Sequence, residues 1–450
     1  MDSSHRTLRQ QLKELVGVEF VFEEFRDLRH FAVDGVSPRV VAAPADAEET
    51  AKVVTFLADA GLSMAARGGG TGLGFGHPPK RLDVLLLTSR LDRIQTADPH
   101  NRLVAAGAGI RLDELEHRLA AWKLRLPLNP PSTDLATLGG VLACNASGPQ
   151  RLRHGTMRER SVEIKLVNAQ GQIISSREGR VPHQPGLDLT RLLIGSLGAL
   201  GILVEATVRL EPLPEKLQAL LAAFPELEPA MAAAEALLSS GETPAFLELV
   251  APEALRRMNP LPQGVDLPQG RYVLAVAAEG AKSWVAERIA QDRACLRRAG
   301  AESIADLDHG IEWELDYILQ ELYSEEEGVL LQLAVPRPNL TQLLRQALSV
   351  PLGDGLRLSR MAHAGVGVAH LVLQPDEDRG WPSGLNRTIA DLRSLAQALG
   401  GSATVLNAPT AVKAELPIFG PDSAEIEALR RLKREWDPND LFNPGRIALP

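Results

Sequence analysis

Cysteine is almost absent from this sequence. Its 450 residues include only Cys144 and Cys295. A disulfide framework needs several cysteines, and an iron–sulfur cluster or a CxxC metal site needs them at close spacing. The chain alone therefore supplies neither, and we interpret both cysteines as small apolar residues of the interior.

Basic runs and long apolar runs are missing as well. The formal net charge is -9, aromatic residues make up 4% of the chain, and no segment rich in lysine and arginine carries interleaved aromatics. Such a chain has no general attraction for a phosphate backbone, which argues against a nucleic acid partner. No apolar stretch approaches the roughly 20 residues that cross a bilayer, so we expect no direct membrane insertion.

The N-terminal residues 1–17 form a charged amphipathic pattern, without the continuous apolar region of a secretory signal. We therefore expect cytoplasmic residence, with attachment to a membrane only through partner subunits. A length of 450 residues predicts two lobes, or one lobe split by an insertion.

Two regions of the chain differ in their patterns. Residues 38–110 alternate short apolar runs with helix-like segments, and Asp46 stands where a helix N-cap belongs. From about residue 216 glycine becomes rarer, helix patterns lengthen, and strand-like runs such as AFLELV and GVAHLVLQP alternate with them. This second region predicts an α+β lobe with an antiparallel sheet.

The sharpest local feature is a glycine-rich loop, RGGGTGLGFG, at residues 67–76, directly after the strand-like run LSMAA. Glycines remove Cβ atoms and allow positive-φ turns, so that backbone N–H groups can approach phosphate oxygens. The loop is not a Walker motif, because no GK[ST] follows. Taken alone, it leaves two interpretations open, a diphosphate site and a structural turn.

Two further segments are rich in small residues. Residues 130–156 combine them with hydroxyl and amide side chains, including Ser132, Thr133, Asn145 and Ser147, which could meet the edge of a flat ring system. Residues 186–207 place closely spaced glycines before an apolar strand. Each segment by itself is also compatible with tight packing alone.

The three blocks RGGGTGLG, TLGGVLACNASG and LLIGSLGALGI, in this order, resemble the flavin domain of the vanillyl-alcohol oxidase and para-cresol methylhydroxylase superfamily, and the closing FNPGRI matches the usual ending of that family. The resemblance implies an α+β fold: a two-subdomain FAD-binding domain plus an α+β cap domain with an antiparallel sheet. It places the FAD-binding domain at residues 1–215, the cap at 216–420, and a C-terminal segment returning to the FAD domain at 421–450.

The resemblance also implies noncovalent FAD with its diphosphate on the loop from Arg67 to Gly74, although a covalent link through His154 stays an alternative. The residues implied to bind FAD are Arg67, Gly68, Gly69, Gly70, Thr71, Gly72, Leu73, Gly74, Pro130, Ser132, Thr137, Gly139, Gly140, Asn145, Ser147, Gly148, Arg153, His154, Gly155, Gly201 and Ile202.

Within the superfamily, SGPQRLRHGTMRE and the C-terminal run from LPIFG to FNPGRI are most similar to the FAD-binding subunit of bacterial glycolate oxidase and to D-lactate and other 2-hydroxy acid dehydrogenases. That subunit works beside a second flavin subunit and an iron–sulfur subunit. The resemblance therefore implies a small 2-hydroxy acid as substrate and these two subunits as partners.

The cap departs from the catalytic pattern of such enzymes, in which an HxGxGxxH segment supplies two metal-ligating histidines. His363 and His370 stand in HAGVGVAH, so the histidine pair is present. Val366 and Val368 replace the usual polar residues between them. A structural role in a strand is one interpretation of the pair, and a catalytic role, with His370 as the first candidate base and His363 as the second, is the other.

The family's later Glu–His–Gly, which supplies a third ligand and a base, is changed too. Aligning Gly400 and Gly401 with the family's glycine pair places Leu406 at the glutamate and Asn407 at the histidine. Leucine cannot ligate a metal and asparagine cannot accept the substrate's proton. We therefore predict no catalytic metal in the cap.

Three hypotheses follow. The chain oxidises a 2-hydroxy acid itself and passes the electrons through flavin to a partner. Alternatively, it is a non-catalytic, FAD-carrying accessory subunit that supports assembly or electron transfer, as the replacements at Leu406 and Asn407 favour. In the third hypothesis the chain is a binding module that keeps the fold but does not bind flavin. The complete glycine loop disfavours this hypothesis.

Overall fold

A computed structural model describes residues 3–177, 188–256, 267–307, 328–376, 380–421 and 423–447. The chain divides into two compact units. Unit 1 comprises residues 1–147, 156–213 and 422–450, and unit 2 comprises residues 148–155 and 214–421.

Unit 1 contains two main sheets and a short strand pair. Its strands are β1 (Val21–Phe22), β2 (Val40–Ala42), β3 (Met64–Arg67), β4 (Val84–Leu87), β5 (Ile94–Asp98), β6 (Leu103–Gly107), β7 (Leu124–Arg125), β8 (Ser161–Val167), β9 (Ile173–Ser175), β10 (Ile202–Arg209) and β11 (Glu211–Pro212). One sheet has the order β1-β2-β4-β3, in which β2, β4 and β3 are parallel. The other is antiparallel, with the order β5-β6-β10-β8-β9, while β7 pairs with β11.

Helices α1 to α8 are short or of moderate length. They are α1 (Ser3–Val16), α2 (Phe25–His30), α3 (Ala47–Asp59), α4 (Leu112–Ala120), α5 (Leu138–Cys144), α6 (Arg151–His154), α7 (Met157–Arg160) and α8 (Leu189–Leu193). The N-cap predicted for α3 is confirmed, because the Asp46 side chain accepts a hydrogen bond of 2.8 Å from Glu49 N. The cap satisfies a backbone N–H that the helix itself leaves unpaired.

Unit 2 is an α+β unit with an eight-stranded antiparallel sheet, as predicted for this part of the chain. Its elements are β12 (Lys216–Phe224), α9 (Leu227–Leu238), β13 (Phe246–Val250), α10 (Pro252–Leu255), β14 (Tyr272–Gly280), α11 (Lys282–Arg298), β15 (Ser303–Leu307), β16 (Val329–Ala334), α12 (Leu340–Ala347), β17 (Leu356–His363), β18 (Val368–Pro375), α13 (Leu385–Ala398), β19 (Ser402–Asn407) and α14 (Thr410–Lys413). The strand order is β15-β12-β14-β13-β17-β18-β16-β19.

Alternation along these strands separates two faces of the sheet. Leu247 and Leu249 of β13, like Ala369 and Leu371 of β18, belong to the core cluster shared with helices α9, α11, α12 and α13. Since successive side chains of a strand point to opposite faces, Glu248 and His370 lie on the face that these helices do not cover.

The C-terminal segment belongs to unit 1. Helix α15 (Ala424–Trp436) is followed by an extended stretch that pairs with β3 through a parallel bridge between Met64 and Phe442. Met64 N donates to Leu441 O at 2.7 Å, and Asn443 N donates to Met64 O at 2.8 Å. Residues 441–443 therefore extend the parallel sheet beside the strand that leads into the glycine loop.

The segment 148–155 departs from the predicted domain boundaries. The sequence analysis assigned it to the FAD domain, whereas it groups with unit 2. The cause is side-chain contact. His154 Nε2 lies 2.5 Å from Glu279 Oε1 on β14, and the Leu152 side chain lies against Gly365, where an added Cβ would come within 2.5 Å of it.

Within the described residues, no helix has both the length and the apolar character needed to cross a membrane.

Candidate functional site

A cavity in unit 1 opens where the glycine loop leaves β3. Its empty space amounts to about 730 Å³, part of it open to solvent. The residues that line it are mostly small: Ala66, Gly68, Gly69, Gly70, Thr71, Gly72, Leu73, Thr88, Ala108, Thr137, Gly139, Gly140, Ala143, Cys144, Leu197, Gly198, Gly201, Leu203, Asn443 and Arg446. A wall with so few side chains leaves the backbone itself accessible to a ligand.

Three loop glycines are required by close packing. A Cβ on Gly69 would lie 1.7 Å from Leu135 O, one on Gly68 would lie 2.0 Å from Thr137 Oγ1, and one on Gly72 would lie 2.4 Å from Cys144 Sγ. The loop therefore packs directly on the segment that contains α5. The structural interpretation of these glycines is correct, and it is compatible with a phosphate-binding role, because the same packing forms the cavity wall.

Gly70 differs from its neighbours, since its backbone has a φ of 87°. This left-handed conformation is unfavourable for a residue with a Cβ, and most so for a β-branched one. An added Cβ would also lie 3.1 Å from the guanidinium of Arg67, which donates to His30 O at 3.0 Å. Glycine is thus needed here for the turn itself.

Helix α5 and the segment before β10 form the other walls. The Thr137 side chain caps α5 by accepting from Gly140 N at 3.3 Å, and Gly139 packs so closely on Ala108 that a Cβ would lie 2.8 Å from its carbonyl oxygen. Burial raises the pKa of the Cys144 thiol to about 12, so this thiol stays protonated. Gly201 is equally tightly packed, because an added Cβ would lie 2.6 Å from Val167 O.

The predicted FAD-binding residues fall into three groups. Those that line the cavity are Gly68, Gly69, Gly70, Thr71, Gly72, Leu73, Thr137, Gly139, Gly140 and Gly201. Those in unit 1 outside its lining are Arg67, Gly74, Pro130, Ser132, Asn145, Ser147 and Ile202. Those in unit 2 are Gly148, Arg153, His154 and Gly155. The binding role of each residue stays a prediction.

Among the lining residues that were not predicted from the sequence are Asn443 and Arg446. Both stand in FNPGRI, which was recognised only as a family ending. Arg446 reaches the glycine loop, since its Nη1 donates to His77 O at 2.9 Å and its Nη2 donates to Phe75 O at 2.5 Å. A polar residue in a C-terminal motif of otherwise unexplained function was the available signal.

Unit 2 contains a row of buried polar side chains on the face of its sheet that lies opposite helices α9, α11, α12 and α13. Both carboxylate oxygens of Glu248 lie 2.8 Å from His363 Nδ1. The rings of His363 and His370 meet edge to face, with centroids 5.0 Å apart, and His370 Nε2 lies 3.3 Å from Gln332 Oε1. The row thus crosses four neighbouring strands, β13, β17, β18 and β16.

Glu248 was not predicted from the sequence, although it is the carboxylate that the histidine pair meets. It is 1% exposed, and His363 is 2% exposed. The signal was a single glutamate within the apolar strand AFLELV, which is unusual because a buried carboxylate needs a partner. The partner lies 115 residues away, on a strand that only the register of the sheet brings alongside.

Burial controls the protonation of this row. It raises the pKa of Glu248 well above its ordinary value and lowers the pKa of His363 to about 3. The pKa of His370 is lowered by burial and by the neighbouring His363 and Arg151. Both shifts favour the uncharged forms, a protonated Glu248 carboxyl and a neutral His363 imidazole, and the contact with Glu248 fixes the orientation of the His363 ring.

The second ring nitrogen of His363, Nε2, is buried and makes no hydrogen bond to the residues that the structure describes. A buried nitrogen without a partner costs free energy unless a ligand or a water molecule meets it. A neutral imidazole carries one ring hydrogen, so Nε2 can accept a proton only in the tautomer that has this hydrogen on Nδ1, facing Glu248.

The predicted replacement of the metal ligand has a visible consequence. Leu406 packs in the apolar cluster that contains Leu330, Met361 and Val372. Met361 pairs with His370 across strands β17 and β18, so this cluster lies on the face of the sheet that carries His370. Asn407 pairs with Leu330 on β16 and is buried. Across the described parts of the chain, no group of three or more His, Cys, Asp or Glu residues could hold a metal ion. The absence of a catalytic metal stays a prediction.

Two family models match the chain. One, described as an FAD binding domain, matches residues 38–177, and the other, described as the C-terminal domain of FAD linked oxidases, matches residues 213–447, more than half of the chain.

Relatives of established name are similar over nearly the whole length. A D-lactate dehydrogenase of Archaeoglobus fulgidus is 29% identical over 422 residues, which cover 92% of this chain and 93% of the relative. The glycolate oxidase subunit GlcD of Bacillus subtilis is 25% identical, with 91% and 89% covered. Among solved structures, p-cresol methylhydroxylase with substrate bound superimposes with a TM-score of 0.78 at 15% identity, covering 100% of this chain and 98% of that one, which shows a common fold.

Proposed function

The chain belongs to the family of FAD-linked oxidases, and from this premise we propose that it is the flavin-carrying subunit of a 2-hydroxy acid dehydrogenase. In this role it oxidises a small substrate of the glycolate or D-lactate type and passes the electrons through FAD to a partner. The hydroxy acid enzymes among its relatives support the substrate class.

The observation that carries this proposal is the glycine-walled cavity of unit 1, where we place FAD. The glycine-rich wall from Gly68 to Gly72, in which Thr71 has the only side chain, fits a diphosphate, which needs backbone N–H groups at close range. FAD bound there supplies the acceptor for the two electrons of an alcohol oxidation.

Oxidation of a 2-hydroxy acid also requires a group that accepts the hydroxyl proton. We assign this role to His363 rather than to His370, the first candidate of the sequence analysis. His363 has Nδ1 held by Glu248 and Nε2 without a partner among the described residues, whereas His370 Nε2 already faces Gln332.

Heteromeric partners belong to the same proposal. Two cysteines cannot hold an iron–sulfur centre within this chain, so onward electron transfer requires other subunits, for which we propose a second flavin subunit and an iron–sulfur subunit. Attachment of a cytoplasmic complex to a membrane would then depend on these partners. Purification from native cells should recover the chain with them. A chain that runs at monomer mass and reduces an acceptor at full rate would contradict this part.

A second candidate function is the accessory subunit, which holds FAD but does not oxidise substrate. Leu406 favours it, because aligning Gly400 and Gly401 with the family's glycine pair places an alkyl side chain where the family's catalytic members have a carboxylate ligand. In that case flavin would be reduced by a partner and not by a hydroxy acid.

The visible spectrum of the purified protein separates the two candidates. Under anaerobic conditions, glycolate or D-lactate should bleach the oxidised flavin bands of a dehydrogenase, and the variant His363→Gln should slow the bleaching without changing the flavin content. Bands that persist with both substrates, while dithionite still bleaches them, support the accessory subunit instead.

A further inference from the structure

Arg446 is one of the few charged side chains buried in unit 1. Its side chain is 3% exposed, and that of its partner Asp34 is 6% exposed. Nη1 donates to Asp34 Oδ2 at 2.5 Å and to His77 O, while Nη2 donates to the carbonyl oxygens of Leu73 and Phe75. The guanidinium thus bonds three carbonyl oxygens at the end of the glycine loop.

These bonds fix the direction of the loop carbonyls. A carbonyl bonded to Arg446 cannot turn its negative end towards a ligand in the cavity, where it would repel phosphate. Asp34 balances the buried charge, which would otherwise be costly. A lysine could not reproduce the arrangement, because its ammonium has three donors on one atom, whereas the guanidinium spreads five over a plane.

The same short stretch also holds a second wall of the cavity. Asn443 Nδ2 donates to Leu197 O at 2.9 Å, and His77 N donates to Arg446 O at 2.9 Å. Gly76 lies so close that an added Cβ would be 2.6 Å from Arg446 O. Residues 443–446 therefore connect the glycine loop with the segment before β10, and both connected segments line the cavity.

We infer that Arg446 is a positioning residue for the diphosphate of FAD. It acts through the glycine loop, by keeping Leu73, Phe75 and His77 in the conformation that leaves the amide groups of the loop free for phosphate. The inference rests on the proposed placement of FAD in this cavity, and it assigns to the C-terminal stretch a role in cofactor retention.

The test compares FAD affinity in Arg446→Lys, Arg446→Met and Asp34→Asn. Apoprotein is titrated with FAD, and the dissociation constant is read from flavin fluorescence. We expect Arg446→Met to weaken FAD at least about tenfold, Arg446→Lys to restore little of that loss, and Asp34→Asn to weaken FAD several-fold. The melting temperature of each apoprotein is measured alongside, since a purely structural role would lower it without changing the affinity of the folded fraction.

The matched control is Arg39→Met. Arg39 pairs with Asp83 at 3.1 Å, at the opposite end of the same parallel sheet, and neither residue lines the cavity. This variant should melt earlier but bind FAD like the parent protein. If Arg446→Met does not fold, Arg446→Lys and Asp34→Asn decide the question.

The outcomes distinguish the positioning role of Arg446 from the proposed placement of FAD in the cavity. If the single variants Arg446→Lys and Asp34→Asn both bind FAD as tightly as the parent protein, Arg446 has no positioning role. The placement of FAD in the cavity would still be supported if Gly70→Val loses FAD affinity. Undiminished affinity in Gly70→Val would instead remove FAD from the cavity altogether.

Discussion

The two units build their candidate sites from different parts of the polypeptide. In unit 1 the cavity wall consists mostly of small residues, eight of them glycines, and the charged side chain in its lining, Arg446, is neutralised by Asp34. In unit 2 the polar atoms belong to the side chains of Glu248, His363 and His370. A backbone site depends on the absence of Cβ atoms and is indifferent to pH, whereas a site of buried titratable side chains depends on a few identities and on protons.

The most severe test of this difference is Gly70→Val. A β-branched residue at a φ of 87° forces the loop out of its conformation, so FAD affinity should fall on the order of a hundredfold, or about 2.7 kcal/mol. Flavin absorbance after desalting measures the loss. Gly61→Val is the control, because Gly61 also has a positive φ, of 64°, but lies outside the cavity lining with nothing within 4 Å of an added Cβ. Full flavin occupancy in Gly70→Val would refute the backbone site.

The pH dependence of stability tests the side-chain site. Burial raises the pKa of Glu248, so the folded state keeps a proton that the unfolded state releases above its ordinary value of 4.5. Relative to Glu248→Gln, the parent protein should therefore lose stability as the pH rises above 4.5, by up to about 1.4 kcal/mol per pH unit. The difference between the two unfolding free energies in urea at each pH isolates this effect. A difference independent of pH would mean that Glu248 is ionised in the folded protein.

The effect of His363 on the pH dependence of stability has the opposite sign to that of Glu248. It should be present both in the parent protein and in Glu248→Gln. Its pKa is lowered from 6.5 to about 3, so the unfolded state binds the extra proton first and stability falls as the pH drops below 6.5. This loss on the acid side should persist in Glu248→Gln and disappear in His363→Gln.

The smallest expected effect is that of metal removal. Because Leu406 offers no lone pair that could complete a site with His363 and His370, dialysis against a chelator should change neither the flavin spectrum nor the melting temperature. Elemental analysis should find far less than one equivalent of zinc or manganese per chain. About one equivalent, lost in His363→Ala, would show that another residue completes a metal site.

The same contrast explains what could be predicted from the sequence. The glycine loop and the small-residue block that contains α5 were recognisable because a backbone site leaves a local excess of glycine, and the antiparallel sheet of unit 2 followed from its strand patterns. The pairing of Glu248 with His363 was not predictable, since it depends on the register between β13 and β17. Arg446 was overlooked for a similar reason, because its contacts with the glycine loop span more than 370 residues.

That separation along the chain has a consequence for biosynthesis. Phe75 and Arg446 are 371 residues apart, and the whole of residues 214–421 is translated between them. At about 5–20 residues per second, the glycine loop waits roughly 20–75 seconds on the ribosome before its anchor exists. Unit 2 can fold during this interval, whereas the FAD cavity is completed last. Cofactor capture is therefore expected to follow translation, and chains stalled before residue 443 should emerge without flavin.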